Sequence, residues 1–114
     1  MNELTMFYKL LSDETRLRIL ILLKSKKLCV CQLSGIMEET QPKISKHLAK
    51  LRDLGIIADE RREQFIFYSI KTDHSLYLKT LDDIIDRIDD YPILKRDLER
   101  SNDAACFINS NQNL

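Results

Sequence analysis

Two cysteines separated by one residue, Cys29-Val30-Cys31, stand a short way ahead of a stretch rich in lysine. Thiolates are soft ligands, so a close pair suits soft, thiophilic acceptors far better than carboxylates would. Oxidisable thiols or small buried hydrophobes are the competing readings of the same pair. Cys29 falls at or just before a helix N-terminus, where the dipole and free N–H groups predict a favoured thiolate with a lowered pKa. Val30, Leu33 and Met37 fit the inner side of a two-turn helix, which leaves both sulfurs off its apolar stripe. Residues two apart in a regular helix point roughly 200° apart. One ion held by both sulfurs is therefore expected to unwind the first turn. A third cysteine, Cys106, is either a further ligand reaching back from the C-terminus or a spectator thiol.

The second constellation follows at once. Glu38-Glu39-Thr40 reads as a turn, Thr40 as a helix cap and Pro42 as a first-turn residue whose missing N–H costs nothing. Ile44, Leu48, Leu51 and Leu54 then recur at helical spacing, and Gly55 is the stop. Gln41, Ser45 and His47 lie at the start of this helix, where base edges would be met in a major groove. His47 has a packed-helix reading as well. Lys43, Lys46 and Lys50 suit phosphate contacts, with Arg61 and Arg62 from a neighbouring hairpin tip. Leu28 to Gly55 thus reads as a helix-turn-helix with thiols at its front edge.

The remaining elements must hold this unit. Residues 3–11 predict a short amphipathic helix with Leu4, Phe7, Leu10 and Leu11 on one side. Ser12 is the expected N-cap of the next helix, which runs to about Ser25 with Leu17, Leu20, Ile21 and Leu23 inward and Arg16 and Arg18 toward solvent. Lys24 to Lys27 form its basic end. Ile56–Ala58 and Phe65–Ile70 read as a hairpin, or wing, whose charged tip lacks Asn-Gly or Asp-Gly and so predicts a loop longer than two residues. Thr72 or Asp73 caps a long helix through Tyr91, with Leu76, Tyr77, Leu81, Ile84, Ile85 and Ile88 as its stripe and a solvated acidic back at Asp82, Asp86 and Asp89. Pro92 must break it. The fold class expected is mainly α with a β-hairpin wing, a winged helix-turn-helix over residues 1–100. A polar, flexible tail is expected over 101–114.

At 114 residues the chain is one small domain, for which pairing with a second copy is an obvious source of extra burial. With 18 basic and 18 acidic side chains, nucleic-acid binding cannot be read from the total, only from the local basic face on Gln41–Gly55. The N-terminus has no basic region and no long apolar stretch, and Ile19–Leu23 is far too short to span a membrane, so a cytoplasmic protein with no membrane partner is expected. Two glycines leave no anion-cradling loop, there is no Cys-x-x-Cys beside a βαβ unit, and no catalytic constellation is visible. An enzyme is not expected.

In this order of elements, LSDETRLRIL, LCVCQL, TQPKISKHLAKLRDLG and FIFYSI resemble the ArsR/SmtB family of bacterial metalloregulatory repressors, over roughly residues 5–90. LCVCQL is similar to the family's arsenic-binding motif. The resemblance implies a homodimer built from the first and last helices, an apo form that represses at operator DNA, and release when arsenic(III) or antimony(III) binds Cys29 and Cys31. Some relatives carry a third cysteine where this chain has Ser34. Cys106, solvent or an organic substituent on the arsenical would then complete the ligand set. The family's zinc site needs an Asp-x-His and a second histidine pair; Asp73 and His74 are adjacent and no histidine follows, so zinc is not expected. The competing readings of the same fold are a thiol-redox repressor and a sensor of cadmium, lead or bismuth.

Overall fold

Six consecutive residues, Arg18 to Leu23, are buried, so the second helix has no solvent face along its middle and must be surrounded. This helix, α2 (Glu14–Ser25), is the hub of the computed structural model, which describes residues 2–103. Around it lie α1 (Asn2–Leu11), α3 (Val30–Met37), α4 (Gln41–Asp53), α5 (Ser75–Asp86) and α6 (Pro92–Arg100). Three strands, β1 (Leu28–Cys29), β2 (Ile57–Arg62) and β3 (Phe65–Ile70), form an antiparallel sheet in the order β1-β3-β2. Phe7, Leu10, Leu20, Leu33, Ile44, Leu48, Leu51, Ile57 and Leu81 join α2 in one core.

Several local expectations are corrected. Arg18 does not face solvent: it is 7 % exposed, and its guanidinium grips Asp97 of α6 through two hydrogen bonds of 2.7 and 2.9 Å. Asp13, not Ser12, caps α2, its Oδ1 accepting from the Arg16 N–H, while the Ser12 hydroxyl donates back to the Lys9 carbonyl and closes α1. Leu54 is 38 % exposed, because α4 ends at Asp53 and the chain turns at Gly55, φ +78°, a conformation suited to glycine. The wing loop is two residues, Glu63-Gln64, with Glu63 at φ 57°, since β2 and β3 stay paired out to Arg62 opposite Phe65. A third strand joins them: Leu28 pairs with Tyr68 and Cys29 with Phe67. α5 starts after His74, whose N–H donates to the Thr72 hydroxyl, and ends at Asp86. A 3-10 turn at Ile88–Asp90 follows, and Pro92 opens α6, where no N–H is needed. Ser101–Asp103, where the expected tail begins, form a 3-10 turn with Ser101 buried. Residues 104–114, the rest of the expected tail, lie outside the described residues.

Candidate thiol site and nucleic-acid interface

Cys29 is the residue at which β1 becomes α3. Its backbone is extended (φ −95°, ψ 171°), its N–H donates to Gln32 Oε1 at 2.9 Å, and its sulfur faces the Gln32 N–H in return. That is a capping box with a thiol in the hydroxyl's place. Cys31 is the second residue of α3 and half-buried. Both sulfur-bearing residues line one cleft of about 310 Å³, walled by Ser45 of α4 and by Gln64, Phe65, Ile66 and Tyr68 of the wing.

Three expectations change here. Cys29 is 2 % exposed rather than off the apolar stripe, because pairing with β3 turns it inward. Burial pushes its thiol above the usual range and outweighs the favourable N–H groups. The 200° divergence also loses its force, since Cys29 precedes the helix and only Cys31 belongs to it. Extended backbone at Cys29 lets both residues serve one cleft without any helix being unwound first. Among the described residues no group of three or more His, Cys, Asp or Glu is placed to hold a metal ion. Cys106 lies outside those residues. Ser34 is occupied elsewhere, its hydroxyl donating to the Glu39 carbonyl in the α3–α4 turn.

Across the turn, α4 buries Ile44, Leu48 and Leu51 and exposes Gln41, Lys43, Ser45, Lys46 and Lys50. His47 is half-buried; desolvation holds its pKa down, against an opposing pull from Asp13. Lys43 pairs with Glu39 at 2.8 Å, which holds that carboxyl below its usual range. At the wing, Arg61 and Arg62 are exposed, with Arg62 ion-paired to Glu60. The acidic side of the molecule is solvated at Asp82 and Asp89, paired with Lys24 and Lys95 at 3.1 and 3.0 Å. The thiols and the reading helix meet directly: Gln41 Nε2 lies 3.9 Å from Cys31 Sγ, and Ser45 lines the thiol cleft.

Gln32 and the wing residues of the cleft were not expected from the sequence. The spacing Cys29-x-x-Gln32 was a usable signal, because it matches a capping box. For Gln64, Phe65 and Ile66 no local signal exists, since β1–β3 pairing alone brings them to the cysteines.

A two-helix unit, α3–α4, followed by the β2–β3 hairpin and carrying lysines on its exposed face, defines a winged helix-turn-helix, an architecture of DNA-binding transcription regulators. The chain belongs to the arsR family of bacterial regulatory proteins, whose family model matches residues 13–59. It is 45 % identical over 64 residues to the arsenic resistance transcriptional regulator ArsR1 of Pseudomonas putida, covering 55 % of this chain and 50 % of that one. It is 44 % identical over 64 residues to the arsenical resistance operon repressor of Escherichia coli, covering 55 % of each. These matches span about half the length of those relatives. In structure it is similar to the AntR antimony-specific transcriptional repressor, with a TM-score of 0.66 at 29 % identity over 78 % of this chain and 79 % of that one. Among the described residues no helix is long and apolar enough to cross a membrane.

Proposed function

We propose that the chain is an arsenic(III)- or antimony(III)-responsive transcriptional repressor, a homodimer that holds operator DNA when free of metalloid and releases it when Cys29 and Cys31 are ligated. The observation that carries this reading is the shared cleft: both cysteines, Ser45 of the reading helix and Gln64 of the wing loop line it together. A ligand seated there touches every element that would meet DNA. The arsenical and antimony relatives support the choice of inducer, and soft thiolate chemistry agrees with it.

The buried thiol is no obstacle to ligation. Arsenous acid carries hydroxyl groups, so each As–S bond forms as one hydroxyl leaves with the thiol proton as water. A bis-thiolate product with one remaining hydroxyl is neutral and suits a buried position. Capture of the Cys29 sulfur removes it from the Gln32 N–H and breaks the capping box, while capture of Cys31 displaces Gln41 from its sulfur. Loss of a cap costs about 1 kcal/mol, and a coupling of about 1–3 kcal/mol weakens operator binding roughly 5- to 150-fold. The third position on arsenic falls to solvent, to Cys106 or to an organic substituent.

Gln41, Ser45 and His47 are assigned to base edges, and Lys43, Lys46, Lys50, Arg61 and Arg62 to phosphates. The dimer is assigned to α1 and α5, where Leu4, Tyr8 and Leu76 stay exposed beside the Phe7–Tyr77 stack. The test separates metalloid sensing from thiol oxidation. A duplex selected by the protein from a random pool is titrated with arsenite under reducing conditions and, separately, with hydrogen peroxide. Release by arsenite alone is expected; release by peroxide alone favours the redox reading and overturns this one.

A further inference from the structure

The last carbonyls of a helix have no intrahelical partner and attract cations. In α3 three consecutive carbonyls are taken by arginines from outside the reading unit. Arg100 of α6 donates from Nη2 to the Gly35 carbonyl at 2.7 Å and from Nε to the Ile36 carbonyl at 2.8 Å. Arg18 of α2 donates from Nη2 to the Met37 carbonyl at 3.1 Å, and Asp97 of α6 holds that guanidinium in place. Arg100 also lies 3.7 Å from Glu38, the left-handed residue (φ 56°) that begins the turn into α4. The turn itself is short, so the pose of α3 fixes the direction in which α4 leaves it.

We infer that α6 is a positioning element for the operator-reading unit, with Arg100 and the Arg18–Asp97 pair clamping the C-terminal end of α3 and setting the angle at which α4 is presented. The inference rests on α3–α4 being the DNA reader, and it adds a role for a helix beyond the family-matched residues 13–59. α3 is then fixed at both ends, by the Cys29 capping box in front and by arginines behind. Arg100 itself is a positioning residue and is assigned no DNA contact. Its side chain is one-third exposed, and α6 keeps its own anchors in buried Leu94 and Asp97, so the clamp can be removed without removing the helix.

The test uses the full chain without inducer, which separates it from the thiol reading. Arg100→Ala and Arg100→Lys are compared with the parent on the selected operator duplex, on a scrambled duplex of equal length, and across a salt series. Arg100→Ala deletes two charge-assisted bonds to carbonyls and is expected to weaken operator binding about tenfold. Arg100→Lys keeps the cation but loses the fork, and is expected to fall between. Scrambled-duplex affinity and the salt slope are expected to stay unchanged in both. Operator affinity unaltered in folded variants overturns the inference. So does an equal loss on both duplexes with a shallower salt slope, which would make Arg100 a phosphate contact. Should circular dichroism reveal that Arg100→Ala is unfolded, Arg100→Lys decides by the same criteria. A parent chain that binds no duplex selectively would instead sink the reading of α3–α4.

Discussion

Asp97→Ala isolates a buried ion pair that ties α6 to the hub of the fold. Asp97 is fully buried and Arg18 is 7 % exposed, and they meet through two hydrogen bonds of 2.7 and 2.9 Å. The Asp97 carboxylate pushes the Arg18 guanidinium pKa up, and arginine keeps its charge at any accessible pH in its own right. Removing the carboxylate leaves a buried cation with the Met37 carbonyl as its remaining anchor. Breaking a buried pair on one side costs about 3–5 kcal/mol, far more than a surface pair, because the surviving charge keeps its desolvation penalty. For a domain of this size that is a fall in melting temperature of about 12–20 °C. Replacing both partners with apolar groups, Arg18→Met with Asp97→Leu, is expected to recover stability to within about 1 kcal/mol of the parent. Urea unfolding followed by circular dichroism reads both quantities, with m unchanged if the native fold is kept. A cost under about 1 kcal/mol for Asp97→Ala, the range of an exposed pair, would refute a buried, desolvated pair.

Other expectations are simpler to read. Gln41→Ala should narrow the affinity gap between the selected operator and single-base variants of it. Lys46→Ala should weaken all duplexes alike and lower the salt slope by about 0.9; identical behaviour of the two would contradict the division of roles. Gly55→Ala meets no atom within 4 Å, so only the backbone penalty at φ +78° remains, about 1–2 kcal/mol by urea unfolding. Asp13→Ala removes the α2 cap and should cost about 1 kcal/mol at neutral pH. The Arg16 N–H holds the Asp13 carboxyl below its usual value of 3.8, so this stability is present above that value and is lost as pH falls through the lower folded pKa. The difference between parent and Asp13→Ala should therefore shrink in acid; a constant difference down to the lowest folded pH would contradict the assignment.

The reading unit was legible because its signals are local. Ile44, Leu48 and Leu51 carry helical periodicity within four turns, Gly55 carries its own conformational preference, and Phe65–Ile70 carries strand propensity. What escaped depends on distant partners. Leu28–Cys29 is too short to announce a strand and becomes one only because Tyr68 and Phe67 lie opposite. Its pairing turned Cys29 inward and reversed the expected direction of its pKa. Arg18 looked like a solvated arginine on a helix, since the acid that buries it is 79 positions away. The α5–α6 break came earlier than Pro92 demanded, with 3-10 bonding already begun at Arg87, whose N–H donates to Ile84. The cysteine pair and the lysine face were each visible in the sequence. Their meeting, through Gln41 at Cys31 and Ser45 in the cleft, is a product of the fold.

Whether the two thiols in this cleft govern the hold on DNA is tested most directly by operator release with arsenite across single cysteine variants. Fluorescence anisotropy of the selected duplex is followed as arsenite is added to the reduced parent, Cys29→Ser, Cys31→Ser and Cys106→Ser proteins, each first matched for operator affinity without arsenite. Release is expected in the parent near one arsenic per protomer and lost in both Cys29→Ser and Cys31→Ser. The Cys106→Ser curve reports whether the third position is supplied by the chain. Undiminished release from either Cys29→Ser or Cys31→Ser would contradict the account.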